Sequence, residues 1–126
     1  MNKTILIVDD FEIIVELLED ELKEYYKCIC GYTANDIIKY GNQVDLIISD
    51  YGIFYVNENG QKDFVWSTEY LKHISTPKIL ITGATPNDGF NNLMEDKLHV
   101  DVVLFKPINI DELLSHIKKL IEDTNG

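Results

Sequence analysis

The strongest constraint on this chain is a rhythm. Five short apolar runs, at 5–8, 28–30, 46–48, 78–81 and 102–105, alternate with stretches whose apolar residues recur at helical spacing. Strands buried on both faces read as near-continuous apolar runs, and their alternation with helices argues for an open parallel sheet covered on both sides. The helical stretches are 11–26, 34–40, 68–74, 87–98 and 111–121. In the first, Ile13, Ile14, Leu17, Leu18 and Leu22 form the apolar face and acids fill the other. In the last, Leu113, Leu114, Ile117, Leu120 and Ile121 play that part. Gly41 and Asn42 close the second helix, and Thr85-Pro86-Asn87-Asp88 is a helix start.

The expected fold is therefore α/β, a (βα)5 three-layer sandwich. Its commonest five-stranded layout has the order 2-1-3-4-5, the flavodoxin-like order. A length of 126 residues suits one domain over 1–126, with no room for a second core. In that layout ligands bind beyond the carboxyl ends of the strands, near the switch between strands 1 and 3. The residues at those ends are Asp9, Asp10, Asp50, Thr82 and Lys106.

Three converging carboxylates repel one another, and a divalent cation relieves this. Oxygen-only donors point to Mg²⁺, which keeps several waters and shares phosphate oxygens. Lys106 adds a point charge, Thr82 a hydroxyl donor, and Gly83 leaves room for a ligand to approach the backbone. Such a set suits a phosphoryl group, with a carboxylate as nucleophile forming an acyl phosphate. Acids at strand ends can also be plain caps, but the fold rule brings all five residues to one mouth.

Charge narrows the partners. Asp and Glu number 22 against 11 cations, every one of them Lys, for a net charge of −11. An acidic surface without Arg disfavours direct nucleic-acid binding and anionic membranes. No apolar run reaches the length of a membrane span, and the N-terminus lacks a signal peptide's apolar core, so a cytoplasmic location is expected. Cys28 and Cys30 share one strand face and read as reduced packing thiols. His73, His99 and His116 have no nucleophile or ligand partner at useful spacing and read as surface or packing residues. P-loops and dinucleotide glycine motifs are absent, and a flavin phosphate would meet Asp9 and Asp10 where it needs a glycine-rich loop.

The segments ILIVDDF (5–11), DLIISD (45–50), ILITGA (79–84) and FKPI (105–108), in that order and spacing, resemble the receiver domain of a two-component response regulator. The likeness spans essentially the whole chain, and the first segment resembles the single-domain chemotaxis regulators. The resemblance implies that Asp50 is the phosphoacceptor. It implies Asp10 as a direct Mg²⁺ ligand, Asp9 acting through water, and Asp50 with the Gly52 carbonyl completing the set. Lys106 then pairs with the phosphoryl group, ahead of a Pro107 bond that is often cis. Thr82 is the switch hydroxyl, biasing the surface built from 87–98, 102–105 and 111–121. The implied partners are a histidine kinase or phosphotransfer protein and a downstream protein target, the chain being a monomer or weak dimer. No output domain is expected after 121, so output runs through protein contact or onward phosphotransfer. No conventional turnover is expected beyond self-catalysed phosphorylation and dephosphorylation. Two alternatives remain: a degenerate receiver serving as a phosphorylation-independent binding module, and, more distantly, an Mg²⁺-dependent acid-nucleophile phosphatase. The latter usually carries a second Asp where this chain has Gly52.

Three departures from the pattern stand out. Val103 sits where the family has an aromatic, with Phe105 on the same strand face expected to pack in the core. Phe54 replaces a frequent Pro. The segment 51–67 is longer than usual and rich in aromatics: Tyr51, Phe54, Tyr55, Phe64 and Trp66. Around an Asn59-Gly60 turn, 54–56 and 64–66 can pair as a β-hairpin. Its aromatics either tether the insertion or form a docking flap or partial lid over Asp50; ordering a long loop favours the tether. Gly52 and Ala84 flank the site, and neither side chain can position or block water, so an intermediate acyl-phosphate lifetime is expected.

Overall fold

The computed structural model describes residues 3–83 and 99–122. Ala84, the helix start at 85–88, the helix expected over 87–98 and the last four residues lie outside them. In chain order the elements are β1 (Thr4–Val8), α1 (Glu12–Leu22), β2 (Lys27–Gly31), α2 (Ala34–Tyr40) and β3 (Leu46–Asp50). There follow β4 (Gly52–Val56), β5 (Lys62–Trp66), α3 (Thr68–Leu71), β6 (Lys78–Thr82), β7 (Val102–Phe105) and α4 (Ile110–Ile121).

Five strands form one parallel sheet in the order β2-β1-β3-β6-β7. With β4 and β5 set aside as a separate pair, this is the expected 2-1-3-4-5 order. Period-two alternation divides the core. Ile5, Ile7, Leu46, Ile48, Ile79 and Ile81 point to the side covered by α1 and α4. Leu6, Val8, Ile47, Leu80 and Val103 point to the side covered by α2 and α3. Phe105 packs on that second side with Val103, as alternation requires.

The bottom of the sheet shows what acids do as plain caps. Asp45 accepts the backbone N–H of Thr4 at 2.8 Å, and Asp101 that of Lys78 at 2.8 Å. Helix ends follow their signals. Asp36 accepts from the N–H groups of Tyr32 and Thr33 ahead of α2, and Asn109 accepts from Glu112 N–H to start α4. Asp111 and Glu112 begin α4 and Lys118 and Lys119 end it, matching the helix dipole.

Two helices differ from expectation. In α1 the buried stripe is Val15, Leu18 and Leu22, while Ile13 and Leu17 are 63% and 56% exposed. The sheet takes an i, i+3, i+7 stripe, and Ile13 and Leu17 fall outside its arc. The helix also stops at Leu22 rather than 26, and Tyr26 turns inward to donate to the Glu122 carboxylate at the end of α4. The helix expected over 68–74 is a single turn, α3. Pro77 disfavours helix at Thr76, whose hydroxyl instead donates to the Gly41 carbonyl at 2.7 Å. Ile74 packs so tightly on Gly41 that a Cβ there would lie 2.5 Å from its Cδ1.

The insertion is a β-hairpin. β4 and β5 pair antiparallel from Gly52↔Trp66 to Val56↔Lys62. Asn57 closes the loop, its side-chain oxygen accepting from the N–H of Asn59 and Gln61, and Gly60 takes the positive φ of 80° that the turn demands. The two faces behave differently. Ile53 is fully buried, Tyr55 stacks on Tyr70 at 6.0 Å, and Asn35 pairs with both the N–H and C=O of Val56 at 2.9 Å. Phe54, Phe64 and Trp66 lie on the opposite face, where Phe64 is 58% and Trp66 48% exposed. The tether is thus one face of the hairpin, and the tether expected of all the aromatics holds for Tyr55 but not for Phe64 and Trp66.

Among the described residues no helix is long and apolar enough to cross a membrane.

Candidate functional site

Parallel pairing aligns the carboxyl ends of β1, β3, β6 and β7, and the side chains just past those ends meet. Ligand oxygens of Asp9, Asp10 and Asp50 lie within 4.8 Å of one another. Lys106 reaches between two of them, its Nζ 3.2 Å from Asp9 Oδ2 and 3.4 Å from Asp50 Oδ1. The Asp9 side chain is 2% exposed, Asp50 14% and Lys106 26%, while Asp10 lies open at the rim. Thr82 is buried at the end of β6, and its carbonyl accepts the Lys106 N–H at 2.8 Å. Asp9, Asp10, Asp50 and Lys106 therefore meet at one mouth, and Thr82 sits at the end of the neighbouring strand β6. Gly83 is exposed, with no described atom within 4 Å of where its Cβ would be. The Lys106–Pro107 peptide bond is cis.

Asp9 has two roles. Its Oδ1 accepts the Phe11 N–H at 2.9 Å, as a cap would, while Oδ2 faces Lys106. The cap reading thus applies to one oxygen of Asp9. Asp50 keeps one oxygen against its own chain, Oδ1 accepting the Tyr51 N–H at 3.1 Å.

The electrostatics follow from crowding. Burial, then the neighbouring Asp9 charge, pushes the Asp50 carboxyl from 3.8 up to about 6 despite Lys106. Burial also raises Asp9, with the Phe11 N–H and Lys106 partly offsetting it. Burial works against the Lys106 ammonium, but Asp50 and Asp9 outweigh it and hold the lysine above its usual value. Among the described residues one cation thus faces three acids, an imbalance that a further cation would correct. The donor set of three carboxylates at this spacing fits Mg²⁺, a hard ion that takes oxygen ligands and retains water. Gly52 follows two residues after Asp50, at the first position of β4.

Other candidates do not join the site. His73 and His99 are exposed and His116 is half-buried on α4. The Cys28 and Cys30 thiols are free, and burial pushes them up to about 11 and about 12. Sequence reasoning missed two contacts at the site's edge. Trp66 stacks on Tyr51 with ring centroids 4.4 Å apart, and the Phe64 ring covers Gly52. Both depend on the strand register, which no local signal announces. An apolar cleft of about 580 Å³ adjoins Lys106, lined by Ile14, Leu17 and Leu18 on one side and Pro107, Ile108 and Ile110 on the other.

No family model matches the chain. Solved structures do. A Francisella response regulator receiver domain superposes with a TM-score of 0.78 at 21% identity, covering 98% of this chain and 100% of that one. A CheY-like receiver domain protein from Methanospirillum hungatei JF-1 gives 0.76 at 23% identity over 98% and 96%. A two-component response regulator from Clostridium difficile gives 0.75 at 20% identity over 99% and 100%. Over nearly its whole length, this chain has the fold of the response regulator receiver domains.

Proposed function

We propose that the chain is a phosphoacceptor receiver of a two-component phosphorelay, taking a phosphoryl group onto Asp50 from a phospho-His donor. The observation that carries this reading is the strand-end cluster, three acids within 4.8 Å with Lys106 between Asp9 and Asp50, in a fold shared with receiver domains. In the transfer an Asp50 oxygen attacks phosphorus, the donor's N–P bond breaks, and its electron pair returns to the imidazole. Lys106 balances charge on the phosphoryl oxygens, and Thr82 offers its hydroxyl to one of them. Asp9, Asp10, Asp50 and the Gly52 carbonyl would hold Mg²⁺, which when bound would supply the positive charge that lets anion meet anion.

The donor must reach an acid recessed among strand ends. Exposed Phe11, Ile13 and Leu17, with the apolar cleft beside Lys106, support docking of a protein donor there. Thr82, at the end of β6, is suited to report the new charge to the surface that a downstream protein reads. A cytoplasmic setting accords with a phosphorelay and with two free thiols.

The test is intact mass after incubation with Mg²⁺ and acetyl phosphate. The reading predicts one added phosphoryl group, dependent on Mg²⁺ and absent from Asp50→Asn. No addition by a folded protein would favour the phosphorylation-independent module. Sustained hydrolysis of a generic phosphate monoester would favour the phosphatase.

A further inference from the structure

We propose that the β4–β5 hairpin shields an acyl phosphate on Asp50 from water, with Phe64 as the shielding residue; this rests on the reading of Asp50 as phosphoacceptor. Gly52 brings no side chain to the flank it occupies. A Cβ built there would lie 2.5 Å from Phe64 Cζ, 2.9 Å from Phe64 Cε1 and 3.6 Å from Trp66 Cζ3. The Phe64 ring therefore fills the volume that a side chain at position 52 would take. What the local sequence leaves open, the hairpin closes from twelve residues away.

The ring is held in place. Phe64 meets Trp66 edge-on at 5.2 Å and Phe54 at 5.9 Å, and Trp66 stacks on Tyr51. Tyr51 in turn donates its N–H toward Asp50 and accepts from Ser67 N–H at 2.7 Å, so both ends of the hairpin are tied to the residue after the phosphoacceptor. The tethered face, with Ile53 buried and Asn35 gripping Val56, keeps the hairpin from swinging away. Yet Phe64 and Trp66 remain about half exposed. Among the described residues, the charged side chains near the Asp50 carboxylate are Lys106 on one side and Asp9 and Asp10 on another. At Gly52, two residues after Asp50, the hairpin sets an apolar wall.

In hydrolysis a water oxygen bonds to phosphorus as the phosphorus–Asp50 oxygen bond breaks. The electron pair returns to the carboxylate, and the water's protons leave with phosphate and solvent. An aromatic ring cannot orient or deprotonate that water, and it excludes it from one side of the phosphoryl group.

The test compares parent, Phe64→Ala and Phe64→Leu. Each is labelled with acetyl phosphate and Mg²⁺, desalted, and followed by intact mass, with circular dichroism to check the fold. Phe64→Ala should shorten the acyl-phosphate lifetime by roughly three- to tenfold, about 0.7–1.4 kcal/mol in barrier. Phe64→Leu, which keeps apolar bulk, should stay within about twofold of the parent. Equal lifetimes for parent and Phe64→Ala, or a Phe64→Leu as fast as Phe64→Ala, would overturn the shield while leaving Asp50 as acceptor. A parent that takes no label at all would overturn the acceptor reading, and the shield with it.

Discussion

Replacing Asp50 by Asn should make the protein more stable, and the gain should depend on pH in a definite way. The two side chains have nearly the same shape, and Asn can still accept the Tyr51 N–H that Asp50 Oδ1 holds at 3.1 Å. What changes is the charge. Burial and Asp9 raise the Asp50 carboxyl from 3.8 to about 6. At about 1.36 kcal/mol per unit, the ionised form destabilises the fold by roughly 2–3 kcal/mol, the lower end allowing for residual solvent contact. The sign follows from proton binding. Below 3.8 the carboxyl is protonated in both folded and unfolded chains, and no penalty exists. Between 3.8 and about 6 the unfolded chain ionises first, so stability falls as pH rises. Above about 6 the penalty is complete. Urea unfolding at about pH 7.5 should therefore show Asp50→Asn more stable by roughly 2–3 kcal/mol, a gap that closes toward pH 4. Millimolar Mg²⁺ should raise the parent's midpoint and move the variant's much less. An Asp50→Asn protein no more stable than the parent at about pH 7.5, or a gap that persists unchanged at pH 4, would refute the argument.

Other outcomes follow from single contacts. Lys106→Met leaves Asp9 and Asp50 without their partly buried counter-charge and should lose roughly 1–3 kcal/mol at about pH 7.5, less at pH 5, by the same denaturant assay. Gly52→Ala sets a Cβ against Phe64 and should cost about 1–2 kcal/mol; in a Phe64→Ala background that cost should largely vanish, which a double-mutant cycle would read. Asn35→Ala removes both bonds to Val56 and should speed hydrogen exchange across β4 and β5 while leaving β1 and β3 protected. Cys28 and Cys30, raised to about 11 and about 12, should react with a thiol reagent at pH 8 far more slowly than free cysteine.

The sheet was legible in the sequence because strands buried on both faces have no polar face to confuse the pattern. Ile5–Val8 and Lys78–Thr82 are almost wholly buried. Each run stops where polar residues begin, so the strand ends, and with them Asp9, Asp50, Thr82 and Lys106, could be placed by counting. Helix α1 was harder. It carries six apolar residues between Ile13 and Leu22, more than one stripe can hold, and spacing alone does not say that Val15 is buried and Ile13 and Leu17 are not. The hairpin's turn was signalled by Asn57, Asn59 and Gly60, yet which face would carry the tether depended on packing against α2. The cover that Phe64 places over Gly52 is a contact across register, and neither residue announces the other. Asp45 and Asp101 show the limit of composition: they are acids beside strands too, and only their position at the opposite end of the sheet makes them caps.

The central claim is that one carboxylate, Asp50, becomes an acyl phosphate. The most direct measurement is reductive trapping with borohydride after phosphorylation with Mg²⁺ and acetyl phosphate, followed by peptide mass mapping. Borohydride reduces an acyl phosphate to an alcohol and so marks the acceptor as homoserine. The account predicts that mark at position 50 alone, dependent on Mg²⁺. A mark at Asp9 or Asp10, or none on a protein that binds Mg²⁺ and is folded, would contradict it.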